Sequence, residues 1–246
     1  MEDDKLQDRV QEIQARIAAA SARANRNPAD ITLVAVTKTW PIETVLAAYE
    51  VGMRHFGENR VEELAEKVPA LVQALGPDHG ATWHLIGNLQ SRKTAAAATY
   101  TDFFHALDRL KIANRLSAQL QEMGRTLPVL LELNVSGEES KAGFAVTRWE
   151  TDEGQRQAVK AAAAAIAQLP GLQLRGLMTM APWDVPDEEI RAVFRRTREL
   201  AHWLRAELPQ LDFTTLSMGM TDDFEIAIEE GATHIRVGRA LFGERG

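Results

Sequence analysis

Cysteine is absent from the 246 residues. That excludes disulfides, thiolate nucleophiles and cysteine-ligated zinc or iron–sulfur centres, and it fits a reducing compartment. An excess of basic charge is also missing. The chain carries 28 Lys and Arg against 35 Asp and Glu, a formal net charge of −7. Nucleic-acid binders show a basic footprint, so none is expected here. No apolar run approaches the roughly 20 residues of a membrane helix. The least charged stretch, residues 161–174, is Ala-rich and contains Pro170-Gly171, which reads as a helix ending in a turn. The opening Met1-Glu2-Asp3-Asp4-Lys5 is charged and no apolar segment follows it, so no signal peptide is expected. Together these absences point to a cytoplasmic protein that engages neither membrane nor nucleic acid.

Metal and paired-carboxylate chemistry find little support. The histidines are His55, His79, His84, His105, His202 and His234, and none shows a metal-ligand spacing with another His or a carboxylate. His84 and His105, near strand ends, read as hydrogen-bonded core residues. Glu58 and Glu132 fall in separate units, and Asp222-Asp223 suit a helix N-terminus.

What is present is rhythm. Leu6, Val10, Ile13 and Ile17 repeat at helical spacing and predict an amphipathic helix over about 5–25, ended by Asn27-Pro28. Short β-rich runs then alternate with helical patterns. The predicted strands are Leu33–Thr37, His55–Phe56, Trp83–Ile86, Phe103–Ala106, Val129–Val135, Leu174–Met178, Phe213–Ser217 and Thr233–Val237. Eight such units in about 250 residues match a (β/α)8 barrel. A doubly wound sheet competes, but it favours a Gly-rich first turn. Here that turn is Thr37-Lys38-Thr39-Trp40-Pro41. The expectation is an α/β protein. Residues 1–30 form an N-terminal helix packed outside, and residues 31–246 form one barrel.

Barrel sites lie at the carboxyl ends of the strands. Lys38 follows the apolar run Leu33-Val34-Ala35-Val36. Partial desolvation at a barrel mouth favours a neutral amine, the nucleophilic form of lysine. The same spacing also suits a solvated strand-end lysine. The turns after the last two strands hold Ser217, Gly219, Gly238 and Arg239. Barrels often bind phosphate there, with glycine permitting close backbone approach. Ordinary βα turns would look alike. Arg236 alternates with Ile235 and Val237. If it faces the barrel interior it needs partners.

Several segments, in order, carry a more specific signal. They are Leu33-Val34-Ala35-Val36-Thr37-Lys38, His55-Phe56-Gly57-Glu58-Asn59 and Trp83-His84-Leu85-Ile86-Gly87-Asn88-Leu89-Gln90-Ser91-Arg92-Lys93. Further on come Asn134-Val135-Ser136-Gly137-Glu138-Glu139-Ser140-Lys141-Ala142-Gly143, Arg175-Gly176-Leu177-Met178 and Leu216-Ser217-Met218-Gly219-Met220. The last is Ile235-Arg236-Val237-Gly238-Arg239-Ala240-Leu241-Phe242-Gly243. In this order the chain resembles the pyridoxal phosphate homeostasis protein family, single-domain relatives of the barrel domain of alanine racemase (fold type III among pyridoxal-phosphate proteins).

The resemblance implies intracellular homeostasis of pyridoxal 5′-phosphate, held as a Schiff base on Lys38. It implies that Ser217, Gly238 and the Arg239 backbone hold the phosphate. It places Arg236 beside the pyridine nitrogen and Asn59 near the cofactor. Arginine only donates hydrogen bonds, so that nitrogen is expected to stay unprotonated and carbanion chemistry to be poorly supported. No catalytic residue is implied. The implied partners are the cofactor and apo enzymes that use it, with the chain a monomer or weak dimer. An amino-acid racemase is the alternative. It needs a tyrosine as second base, aided by a second domain, and the two tyrosines here, Tyr49 and Tyr100, fall away from the mouth. Departures from the family pattern are small. Arg92 stands where Asn is common, Gly137 where an acid is common, Thr221 where Ser is frequent, and Arg239 where some members carry Thr.

Overall fold

Residues 2–138 and 142–244 are described in the computed structural model of the protein. Glu139, Ser140 and Lys141 of the quoted motif lie outside them. The chain opens with α1 (Glu2–Arg23), then alternates β1 (Thr32–Val36), α2 (Ile42–Glu50), β2 (His55–Glu58), α3 (Val61–Leu75), β3 (Thr82–Leu85), α4 (Thr94–Tyr100) and β4 (Phe103–Leu107). It continues with α5 (Leu110–Met123), β5 (Leu127–Asn134), β6 (Phe144–Ala145), α6 (Glu153–Ala167), β7 (Leu172–Thr179) and α7 (Asp187–Glu207). The last elements are β8 (Thr215–Ser217), α8 (Phe224–Glu229), β9 (His234–Val237) and α9 (Arg239–Phe242).

The sheet runs β4-β3-β2-β1-β9-β8-β7-β5, and a β4–β5 pairing closes it. All of these pairings are parallel, so eight strands form the expected barrel. The two-residue β6 is additional. It pairs with the end of β5 through Leu133↔Phe144 and Asn134↔Ala145. Among the described residues, no helix is long and apolar enough to cross a membrane.

Alternation sorts the strand residues. Phe56 pairs in register with Trp83, and their rings lie 5.4 Å apart in the layer between strands and helices. Gly57, next along β2, pairs with His84 on the opposite, interior face. A Cβ at Gly57 would come within 2.9 Å of Val34 Cγ1. The interior has no room for a side chain there. This explains why β2 runs through a glycine that, read as a turn residue, shortened the predicted strand to His55–Phe56.

α1 forms for the reason its sequence suggests. Leu6, Val10, Ile13, Ile17 and Ala20 are all buried, and they lie on one helical stripe. The helix packs on α8 and α9. Arg16 and Arg23 reach Glu225, and Arg23 also reaches Glu229. Burial of the stripe stabilises the contact by roughly 1.5–3 kcal/mol per large side chain, more than such surface pairs add.

Candidate functional site

The turn after β1 holds Lys38, half-buried, and Thr39, whose φ is +67°. A β-branched residue in the left-handed region is strained, and the surroundings hold it there. The Thr39 N–H donates to Glu63 Oε2 at 2.6 Å, and Trp40 N–H donates to Thr37 O at 3.0 Å. Lys67, buried on α3, donates to Thr37 O at 2.9 Å, Glu58 Oε1 at 2.7 Å and Glu63 Oε2 at 3.3 Å. Thr37 Oγ1 donates to the same Glu58 oxygen at 2.7 Å. Burial pushes the Glu58 carboxyl up to about 7, against the pull of Lys67 and Thr37. Its second oxygen is buried without a partner. Lys38 thus sits in a turn fastened from below to α3 and β2.

Two strands from β1, Ser217 ends β8 and is fully buried. It stands in register with His234, the first residue of β9, four residues short of Gly238, so the structure does not bring its hydroxyl to the Gly238 turn as the sequence reading had it. Arg236, 4% exposed, donates from Nη1 to Ser217 Oγ at 2.6 Å and from Nη2 to Thr179 O at 3.0 Å. Arg236 therefore faces the interior and has the partners that burial demands. Burial lowers its guanidinium to about 10, while Asp223 and Glu132 oppose the shift. The group stays cationic at neutral pH.

Gly238 follows β9. A Cβ there would lie 3.2 Å from Val36 O and 3.3 Å from Val36 Cβ, so the turn presses on the end of the strand that leads to Lys38. Asn59 follows β2 and is partly exposed. Its side chain makes no hydrogen bond with the described residues, while its carbonyl packs against Gly87. The Arg239 side chain is exposed and turned to Asp222. What Arg239 offers the turn is its N–H.

The interior also carries polar groups that the sequence did not flag as a site. His55 Nδ1 lies 3.0 Å from His84 Nε2, His84 Nδ1 lies 2.9 Å from His105 Nε2, and His105 Nδ1 lies 2.8 Å from Ser217 Oγ. Burial pushes all three imidazoles below the usual histidine range, furthest for His84 and His105. His84 and His105 are thus hydrogen-bonded core residues, as read from sequence, but they belong to one chain. His234 joins the ring cluster, 6.2 Å from His84 and 5.9 Å from His105, and is lowered to about 4, mainly by burial. Glu132 on β5 accepts from Asn88 Nδ2 at 2.5 Å, and burial lifts it to about 7. The available signal was that His84, His105 and His234 interrupt apolar strands at interior positions. Among the described residues, no group of three His, Asp or Glu could hold a metal ion.

Two cavities flank this system. One of about 700 Å³ lies beside the Lys38 turn, lined by Thr39, Trp40, Arg60, Glu63, Lys67 and Lys93 among others. Another of about 400 Å³ lies at the amino ends of β1 and β2, with Gln14, Ile17, Arg54 and His55 in its wall. The tyrosines are placed elsewhere. Tyr49 on α2 donates its hydroxyl to His79 O at 2.7 Å. Tyr100 ends α4 at the amino side of β4.

The profile of the alanine racemase N-terminal domain matches residues 9–246. The pyridoxal phosphate homeostasis protein of Vibrio cholerae is 41% identical over 98% of this chain and 96% of its own. The solved structure of PipY from Synechococcus elongatus with pyridoxal phosphate bound is 38% identical, with a TM-score of 0.78, covering 94% of this chain and all of that one. An alanine racemase of Clostridium difficile shares the fold at 14% identity, with a TM-score of 0.73. The match covers 98% of this chain but 57% of the racemase.

Proposed function

The chain belongs to the alanine racemase N-terminal domain family and, within it, to the pyridoxal phosphate homeostasis proteins. From that membership we propose that it holds pyridoxal 5′-phosphate at the carboxyl mouth of its barrel, with Lys38 as the covalent anchor. One structural observation carries the reading. A lysine in a strained, fastened turn and a buried Arg236–Ser217 pair stand at the carboxyl ends of strands of one barrel. The donor set fits the group. A primary amine suits an aldehyde, backbone N–H groups at a close-packed glycine suit a phosphate, and a fixed cation suits a pyridine nitrogen.

In this reading the N–H groups of Gly238 and Arg239 hold the phosphate, while Ser217, four residues deeper along the sheet, supports Arg236 from below. Asn59, with its amide unengaged, borders the ring. Arg236 points donors at the ring nitrogen and keeps protons off it. When bound, the group supplies an electrophile for amines and an electron sink. The surrounding residues favour retention over use of that sink. Neither tyrosine reaches the mouth, so among the described residues no tyrosine is placed to take or return a proton on the far face. The role is therefore to store the cofactor and hand it to apo enzymes in the cytoplasm, as a monomer or weak dimer, without turnover of its own.

Borohydride reduction followed by peptide mapping tests the anchor. The label is expected on Lys38, and Lys38→Ala should abolish the visible absorbance of the loaded protein. A label mainly on Lys93 or Lys141 overturns the assignment. Incubation with L-alanine in heavy water tests the rest. Little deuterium at Cα and no optical inversion are expected. Turnover of roughly 1–10³ per second would establish the racemase reading instead. Mixing the loaded protein with an apo enzyme should transfer cofactor faster than spontaneous release.

A further inference from the structure

Both peptide groups that flank Lys38 are held by side chains of one helix. Lys67 Nζ on α3 donates to Thr37 O, which belongs to the peptide before Lys38, at 2.9 Å. Glu63 Oε2, on the preceding turn of α3, accepts from the Thr39 N–H, which belongs to the peptide after Lys38, at 2.6 Å. Lys67 and Glu63 also meet each other at 3.3 Å, as residues four apart on one helix face do. Peptide groups are planar. The two hydrogen bonds therefore fix the planes on either side of the Lys38 Cα, and with them the direction in which its side chain leaves the backbone.

The grip is supported from below. An ammonium has three hydrogens, and Lys67 directs them to Thr37 O, Glu58 Oε1 and Glu63 Oε2. Glu58 on β2 is fully buried, and the same oxygen accepts from Thr37 Oγ1 at 2.7 Å. Glu58 thus ties Lys67 to the residue before Lys38 by a second route.

What the grip opposes is strain. Thr39 stands at φ +67°, a region that costs a residue other than glycine about a tenfold factor in an equilibrium constant. Its side chain is exposed and makes no hydrogen bond with the described residues, so nothing local offsets that cost. The cavity lined by Thr39, Glu63 and Lys67 leaves the turn room to relax if the grip is lost. Strain that persists only because its surroundings impose it is kept for geometry.

We propose that Glu63 and Lys67 are positioning residues for Lys38, holding the strained turn in the one conformation that presents the lysine amine to the aldehyde of the cofactor. The proposal rests on the reading that Lys38 is the covalent anchor. The step it serves is a condensation. The Lys38 amine adds to the aldehyde carbon, a C=N bond replaces the C=O bond, and the oxygen leaves as one water. The clamp forms no bond in that step. It fixes the conformation that the free amine must hold before it reacts. Without the clamp Thr39 relaxes, and capture must first rebuild the turn. The Gly238 turn lies on the other side of β1 from β2, and neither Glu63 nor Lys67 bonds to it. Recognition of phosphate should not depend on the clamp.

The test compares ligands that do and do not react with Lys38. Lys67→Met and Glu63→Ala should each lower the capture constants of pyridoxal 5′-phosphate and of pyridoxal about tenfold, the cost of the strained turn, read from the visible absorbance of the full-length protein. The ratio between the two aldehydes should not change. Pyridoxine 5′-phosphate has an alcohol in place of the aldehyde, and its calorimetric binding to the unloaded protein should not change either. In a Thr39→Gly background the effect of Lys67→Met should shrink, because glycine enters the left-handed region freely. Amide exchange at Thr39 in the unloaded protein should quicken in Glu63→Ala, which reports the grip without any cofactor. If Lys67→Met does not fold, Glu63→Ala still decides, since Glu63 is the more exposed of the two. Undiminished capture, an equal loss of pyridoxine 5′-phosphate binding, or a loss that Thr39→Gly does not reduce overturns the positioning role. Lys38→Ala separates the readings. If it leaves capture of both aldehydes intact, the anchor lies elsewhere and the positioning role falls with it. If it abolishes capture while the clamp variants capture normally, the anchor stands and the positioning role alone falls.

Discussion

The strands of this barrel carry two different surfaces. Their outward residues, among them Phe56, Trp83, Phe104, Ile235 and Val237, are buried with apolar helix residues such as Leu64, Phe194 and Ile228. Their inward residues include His84, His105, Ser217 and Arg236, equally buried but joined by hydrogen bonds. Apolar burial is non-directional and proportional to area, so the outer layer stabilises the barrel without specifying where any hydrogen lies. The inner layer adds less to stability, because a buried hydrogen bond nets only about 0.5–1.5 kcal/mol. It does fix donors and acceptors at the mouth. Stability and site are thus written on opposite faces of the same strands.

The largest expected effect that separates the faces comes from the outer one. Phe194→Ala should cost about 3–5 kcal/mol in urea unfolding, while the protein that remains folded retains the cofactor as before. A matching loss of affinity would show that the layers are coupled.

Acid should act on the inner face. The His234 ring titrates at about 4 when folded and near 6.5 when unfolded. Its contribution is complete above 6.5 and is lost as pH falls toward 4, a loss of up to about 3 kcal/mol. His55, His84 and His105 shift in the same direction. Glu58 and Glu132, raised to about 7, oppose them. Their contribution is complete below 4.5 and is lost as pH rises through 7. Net stability should therefore fall on acidification from pH 6.5. Glu132→Gln removes one opposing group and should steepen the fall. Urea midpoints measured from pH 7.5 to 4.5 check both statements, and a flat profile in the wild type would contradict the neutral interior.

The smallest effect belongs to neither face. Tyr49→Phe removes one hydroxyl bond to His79 O and should cost about 0.5–1.5 kcal/mol of stability. The visible spectrum and retention of the cofactor should be unchanged. A spectral change would bring that tyrosine back into consideration for the site.

The outer layer was the legible one. Apolar periodicity marked the eight strands and placed Lys38, Ser217 and Gly238 at strand ends, because each strand reports its own alternation locally. The inner layer was not legible. Alternation groups His234 with Arg236, but it does not say that His84 stands beside Gly57 or that Ser217 Oγ meets His105. Those contacts depend on register between strands and on closure across β4–β5. The Lys67 clamp under the Lys38 turn escaped for the same reason, since a lone lysine on a helix reads as solvated. β6 escaped because two residues carry no period, and its pairing is set by the end of β5.

The seam where β1 meets β9 has a consequence in time. Thr32↔His234 and Val34↔Arg236 join residues about 200 positions apart, and α1 is closed over by α8 and α9. A chain emerging from the ribosome exposes Lys38 early, but the strand that flanks β1 on its other side arrives almost last. Contacts of such long sequence separation are slow to form. Until they form, β1 has an open edge and α1 has an uncovered apolar stripe. Lys38 is made early, while the strand and helices that surround it arrive late, so the barrel mouth around it is completed only at a late stage of folding.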